Sequence, residues 1–123
     1  IMPSLFCLLP TGKQKEQHAK KWLQQQGFKI VAENYNCKGG EIDLIGERHQ
    51  GLTFFEVKYR KSSDYGHPAE MVNLKKQPHI VHCAQLFLQK HPQYQDYGLQ
   101  FDVITFTGSQ QTPHWIENAF EAF

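Results

Sequence analysis

Gly40-Glu41-Ile42-Asp43-Leu44-Ile45, with Glu56-Val57-Lys58 beginning thirteen positions after Asp43, is the stretch on which the reading of this chain turns. In an extended strand, side chains two residues apart leave the same face. Glu41 and Asp43 then share one face, and Ile42 and Leu44 the other. Likewise Glu56 and Lys58 share a face, while Phe55 and Val57 point away. The intervening Gly46-Glu47-Arg48-His49-Gln50-Gly51 is polar and bounded by glycines, which suits the connection of a hairpin between strands at 41–45 and 52–59. Folding that hairpin lays the acidic faces side by side. Two carboxylates about 4 Å apart repel by roughly 4 kcal/mol at an effective dielectric of about 20, so clustered acids require a proton or a cation. Oxygen ligation with room for water suits Mg²⁺ or Mn²⁺ rather than zinc. Lys58, on the same face, can hold a water or a phosphate oxygen as a point charge. The wet side of an ordinary antiparallel sheet carries such residues too, and the strands alone leave both readings open.

Further matching residues lie along most of the chain: Gly12, Glu16, Ala19, Leu23 and Gly27, then Asn34-Tyr35, Tyr59-Arg60, Tyr65-Gly66, Lys75 and Phe101-Asp102-Val103. Asp43 followed by Glu56-Val57-Lys58 resembles the PD-(D/E)XK nuclease motif. Over residues 12–106 the whole string resembles the YraN-like family of predicted endonucleases, itself similar to Holliday-junction resolvases. The resemblance implies an α/β fold with a restriction-endonuclease-like core, a mixed β-sheet flanked by helices in the order α-β-β-β-α-β. It implies that Asp43 and Glu56 hold Mg²⁺ or Mn²⁺ with the Val57 backbone carbonyl, and that Glu41 adds a direct or water-mediated contact. Glu16 enters as a ligand or water-orienting residue, and Lys58 as the group that positions or helps deprotonate the attacking water. The implied reaction is hydrolysis of phosphodiester bonds, in DNA rather than RNA, with branched or damaged structures as candidate substrates. Lys75 is carried over as a nucleic-acid contact, and a homodimer as the assembly. A different class of function keeps the same fold without turnover, as a nucleic-acid-binding or assembly factor; a third acts on nucleotides or other phosphate esters. Three departures bear on the choice. Gln100 stands where the family has an arginine, Pro78 and His79 stand where it has basic residues, and residues 1–10 have no counterpart.

The chain of 123 residues is read as one domain, 12–123, preceded by a tail, 1–11, with Ile1 left out of fold reasoning. No segment approaches the roughly 20 apolar residues of a membrane span. The run Leu5-Phe6-Cys7-Leu8-Leu9 lacks the basic lead-in and cleavage site of a signal peptide, so the expected location is cytoplasmic. Cys7, Cys37 and Cys83 are odd in number and show no paired spacing, which predicts free thiols rather than a disulfide framework. A zinc site built from Cys83 with His79 or His82 matches no recognised spacing. The net charge is only +1, yet residues 1–62 carry ten Lys/Arg against six Asp/Glu, and residues 63–123 three against six. A cation on the acidic face would make the first half more positive still, which suits a phosphate-bearing ligand with salt-dependent affinity.

Thr11 can cap a helix over 13–26 that carries Ala19, Trp22 and Leu23 and stops at Gly27. A first strand is predicted over 28–34, and a turn over 36–40. Residues 59–68 read as a loop whose basic start, Arg60 and Lys61, suits contact with a phosphate backbone. A second helix is predicted over 74–89, its regular part beginning near Pro78 and ending before Pro92. Lys75 and Lys76 then sit at its entrance, and His79, His82 and His91 are read as surface or capping residues. A strand over 99–107 and a short one over 114–117 complete the reading. Asp102 is read as a structural hydrogen-bonding group rather than a metal ligand.

Overall fold

The computed structural model describes residues 11–60, 76–107 and 112–120. Its elements are α1 (Thr11–Gln25), β1 (Lys29–Cys37), β2 (Gly40–Arg48), β3 (Gly51–Arg60), α2 (Gln77–Lys90), a single 3-10 turn (Pro92–Tyr94), β4 (Gly98–Thr107) and β5 (His114–Phe120). The five strands form one sheet in chain order, antiparallel at each junction except β3–β4, which is parallel. A parallel pair needs a crossover, and α2 lies on it.

Neighbouring residues of the central strands divide between two cores. Ile45, Phe54 and Val103 join a cluster with Ile80, Cys83, Ala84 and Phe87 of α2. Leu44, Phe55 and Ile104 join one with Ala19 and Leu23 of α1. Because successive strand side chains leave opposite faces, the two helices cover opposite faces of the sheet. Strands covered on both sides read as apolar runs rather than alternations, and Leu52, Phe54, Phe55, Phe101, Val103 and Ile104 are all nearly inaccessible. The molecule is thus α/β, a mixed sheet flanked by two helices in the order α-β-β-β-α-β with β5 appended. That order agrees with a restriction-endonuclease-like core.

The local signals acted where chain geometry is decided locally. Gly27, at φ 96°, ends α1, and Phe28 N–H donates back to the Leu23 carbonyl. Pro78 occupies the first turn of α2, where its missing N–H costs nothing. At the other end His91 N–H donates to the Leu88 carbonyl, and its ring stacks on Phe87. The hairpin connection is shorter than the expected 46–51. Pairing continues through Gly46–Thr53, Glu47–Leu52 and Arg48–Gly51, leaving a two-residue turn at His49 and Gln50. Both have positive φ, 53° and 58°, as the twist of the flanking strands requires. Polar composition there marked the surface, not the end of the ladder.

The cysteine expectation is corrected. Cys37, at the end of β1, and Cys83, in α2, form a disulfide with Cα atoms 5.6 Å apart. Gly40 helps make this possible. A Cβ at that position would lie 2.9 Å from the His79 carbonyl oxygen and 3.0 Å from Cys83 Sγ, so only a glycine lets α2 settle so closely on β2. The partners are 46 residues apart, which no spacing rule could connect. Cys7 and the rest of residues 1–10 lie outside the described residues, whereas Thr11, assigned to the tail, is the first residue of α1.

Candidate active site

The ladder between β2 and β3 reaches Leu44 and Phe55. The next residue outward on each strand is an acid, Asp43 on one and Glu56 on the other. There the side chain takes over from the backbone: Val57 N–H donates to Asp43 Oδ2 at 2.8 Å. Glu56 is buried, with its side chain 6% exposed, and its Oε2 accepts a hydrogen bond from Lys76 Nζ at 3.1 Å while Lys58 Nζ stands 3.4 Å away. A buried carboxylate needs such compensation, because isolated charge is costly away from water. Glu56 and Lys58 share a face as expected, and Phe55 and Val57 turn toward the α1 side. Ile42 and Leu44 are both buried, but Ile42 joins the α2 cluster and Leu44 the α1 cluster, so the alternation foreseen for them does not hold.

Asp43 carries the most displaced carboxyl of the site, pushed up to about 7. Burial is the largest cause, followed by the charge of Glu56; the Val57 amide opposes both, and Glu16 and Glu41 add to the rise. Glu16 comes from the first half of α1. It is raised by burial above all, held down in part by Asn34, and raised further by Glu41 and Glu56. Asn34 sits between the acids: with its amide nitrogen turned toward them it donates to Glu16 Oε1 at 2.8 Å and to Glu41 Oε1 at 3.1 Å. Its φ of 47° is a left-handed conformation that asparagine tolerates better than most residues. Lys76 is pulled down by burial, but Glu56 outweighs that and leaves its ammonium above the ordinary lysine value.

Glu16, Glu41, Asp43, Glu56 and Lys58 therefore come together, from the β2–β3 hairpin and from α1. Arg60 is the last residue of β3. Lys61 and Lys75 lie outside the described residues. Two site residues escaped the sequence reading. Lys76 was placed at the helix entrance without a role, and Asn34 only among the matching residues. Nothing in their local sequence says that one reaches Glu56 and the other bridges two acids.

Among the described residues no three His, Cys, Asp or Glu groups gather into a ready metal cluster. The donor chemistry nonetheless fits a hard divalent cation. At the end of one ladder the charge of Glu56 opposes the ionisation of Asp43, and two ammonium groups stand at Glu56 where positive charge is wanted. Water and the Val57 carbonyl are the further oxygen donors that such a cation would need.

Asp102 lies apart from this chemistry, as expected. Buried in β4, it accepts hydrogen bonds from Trp115 Nε1 at 2.8 Å, Asn118 N–H at 3.0 Å and Gln100 Nε2 at 3.0 Å. Burial raises its carboxyl, and those three donors pull the other way. Gln100, noted for standing in place of an arginine, is thus a support for Asp102.

The model of the Uncharacterised protein family UPF0102 matches residues 15–106 of the chain. A UPF0102 protein of Acinetobacter baumannii strain AYE is 43% identical over 112 residues, spanning 91% of this chain and 84% of the relative. One from Alcanivorax borkumensis is 39% identical over 122 residues, 97% of this chain and 98% of the relative. Another, from Saccharophagus degradans, is 44% identical over 110 residues, 89% of this chain and 92% of the relative. On the extent of that match and the identity to these relatives, the chain belongs to the YraN-like UPF0102 family.

Proposed function

We propose that this protein is a divalent-metal-dependent nuclease that hydrolyses phosphodiester bonds in DNA, with branched or damaged structures as its substrates. The single observation that carries the reading is the convergence of Asp43, Glu56 and Lys58 at the point where the β2–β3 ladder ends. Asp43, Glu56 and the Val57 carbonyl would hold Mg²⁺ or Mn²⁺, which supplies Lewis acidity to the phosphate and to the attacking water.

The chain's own groups do the rest. The Val57 amide fixes Asp43 Oδ2 and so aims the other oxygen. Glu41 and Glu16, linked through Asn34, form an acidic wall that can orient a water. The Lys58 ammonium, held on the site by Glu56, can steer a water or stabilise charge gathering on the phosphate oxygens. Lys76 is more exposed, 49% for its side chain, and can release Glu56 to meet a phosphate. Among the described residues no helix is long and apolar enough to cross a membrane. A cytoplasmic location, a DNA partner and a homodimer belong to the same proposal.

The second reading, a nucleic-acid-binding or assembly factor without turnover, is favoured by one observation. Two ammonium groups already engage Glu56 Oε2, and an arrangement locked that way would be inert. Cleavage of linear, single-stranded, flap and four-way DNA with Mn²⁺ at low salt, parent beside Asp43→Asn, separates the two. Cutting by the parent alone is the expected result. Binding by both proteins with no cutting by either selects the second reading, and neither binding nor cutting sinks both.

A further inference from the structure

Thr105 of β4 stands in register with Lys58 of β3 on one side and His114 of β5 on the other. Residues in register across a sheet leave the same face, so Thr105 is the neighbour of Lys58 on the face that carries Glu56. The threonine is 1% exposed, and its Oγ1 is buried without a hydrogen-bond partner among the described residues. Buried hydroxyls are nearly always satisfied, and an exception requires a reason. Valine has the same shape and would strand no donor, and the strand uses apolar side chains on either side, at Val103, Ile104 and Phe106.

The reason lies in the crowding at Glu56. Lys76 donates to Glu56 Oε2 at 3.1 Å, and Lys58 stands at 3.4 Å from the same oxygen, the looser of the two. A divalent cation on Glu56 would repel both ammonium groups, and the flexible Lys58 side chain, partly open to solvent, would stay on the site only if another acceptor held it there. We propose that Thr105 is the positioning residue for Lys58: its Oγ1 accepts a hydrogen bond from the Lys58 ammonium when Glu56 is engaged by a divalent cation. The ammonium then stays on the site at a fixed place instead of swinging into solvent. This rests on the metal-dependent nuclease reading given above.

The test compares parent, Thr105→Val and Thr105→Ser, with Lys58→Arg used to assign the Lys58 ammonium signal in ¹⁵N-lysine spectra. In millimolar Mg²⁺ the parent should show a Lys58 ammonium whose protons exchange slowly, Thr105→Val should lose it, and Thr105→Ser should restore it. Thr105→Val should melt no lower than the parent, since it removes a stranded hydroxyl. With Mn²⁺ and a cleavable DNA, Thr105→Val should lose about 10- to 100-fold in kcat with KM unchanged, the size of one hydrogen bond to a charged group, and Thr105→Ser should return most of it. The same Lys58 signal in parent and Thr105→Val overturns the assignment. So does a Thr105→Val protein that melts lower while its Lys58 signal is kept, or one whose only change is at His114. If the parent cuts no DNA the nuclease reading falls, and the ammonium signal still decides the role of Thr105.

Discussion

At the scale of single residues, the site is a balance between carboxylates that repel and a few groups that hold them. Asp43 titrates at about 7 in the fold against an ordinary 3.8, so the fold favours its protonated form. That preference is complete at about pH 4 and below, and it is lost as the pH rises through about 7. The metal-free protein should therefore lose stability across that window, by up to about 1.4 kcal/mol per pH unit, and Asp43→Asn should flatten the slope. Thermal melts of the two proteins across the window check this; parallel profiles would refute it. Mn²⁺ should reverse the sign for the parent alone, because a cation needs the ionised carboxyl and its stabilisation grows as the pH rises. Asn34 gives a second test. Asn34→Asp keeps the shape and tolerates the left-handed backbone, but replaces two donated hydrogen bonds with a further negative charge beside Glu16 and Glu41. It should cost about 1–2 kcal/mol at alkaline pH and much less at acid pH, measured by urea unfolding.

At the scale of elements, β4 and β5 show how one side chain can shape a strand pair. Their ladder shifts register between Phe101 and Val103, and Asn118 opposite has a φ of 50°. Asp102 sits at the shift and accepts the Asn118 N–H that the backbone ladder leaves over, together with the Trp115 indole. The buried carboxylate is satisfied only because three donors converge on it. Asp102→Ala strands those donors and should cost about 3 kcal/mol, with amide exchange accelerated first in β5. Protection at β5 unchanged in that variant would show that the strand is held by its apolar contacts instead. The same arrangement explains why β5 runs to Phe120 and not only to 117 as its sequence indicated. The irregularity at Asn118 looks like a strand end to pattern reading, whereas Asp102 carries the strand through it.

At the scale of the whole molecule, two helices on opposite faces are joined to the sheet by different means. α1 rests on apolar contact with Leu44, Phe55, Ile104 and Phe106, with Trp22 set edge-on to Trp115. α2 has the larger cluster and also the Cys37–Cys83 disulfide. Closing a loop of 46 residues should contribute about 2–4 kcal/mol, chiefly by restricting the unfolded chain. Reduction, or Cys83→Ser, should lower the melting temperature accordingly, and an unchanged melt would show that the bond does not form in solution. Because α2 begins beside Lys76, looser docking of this helix should also weaken the Lys76–Glu56 pair.

The amino-acid sequence by itself determined whatever depends on neighbours in the chain. The two-residue alternation put Glu56 beside Lys58, Gly27 stopped α1, and Pro78 placed the first turn of α2. The family resemblance also named five of the residues that meet at the site. Tertiary structure alone decided the contacts made across distance. Lys76 reaches Glu56 over 20 residues, Asn34 spans acids from a helix and a strand, Cys37 finds Cys83, and Thr105 lies beside Lys58 with its hydroxyl unpartnered. The physical reason is one of range. Backbone preferences and periodicity act over a few residues, whereas a hydrogen bond or ion pair between distant residues exists only after the sheet has set their register and the helices have closed over its two faces.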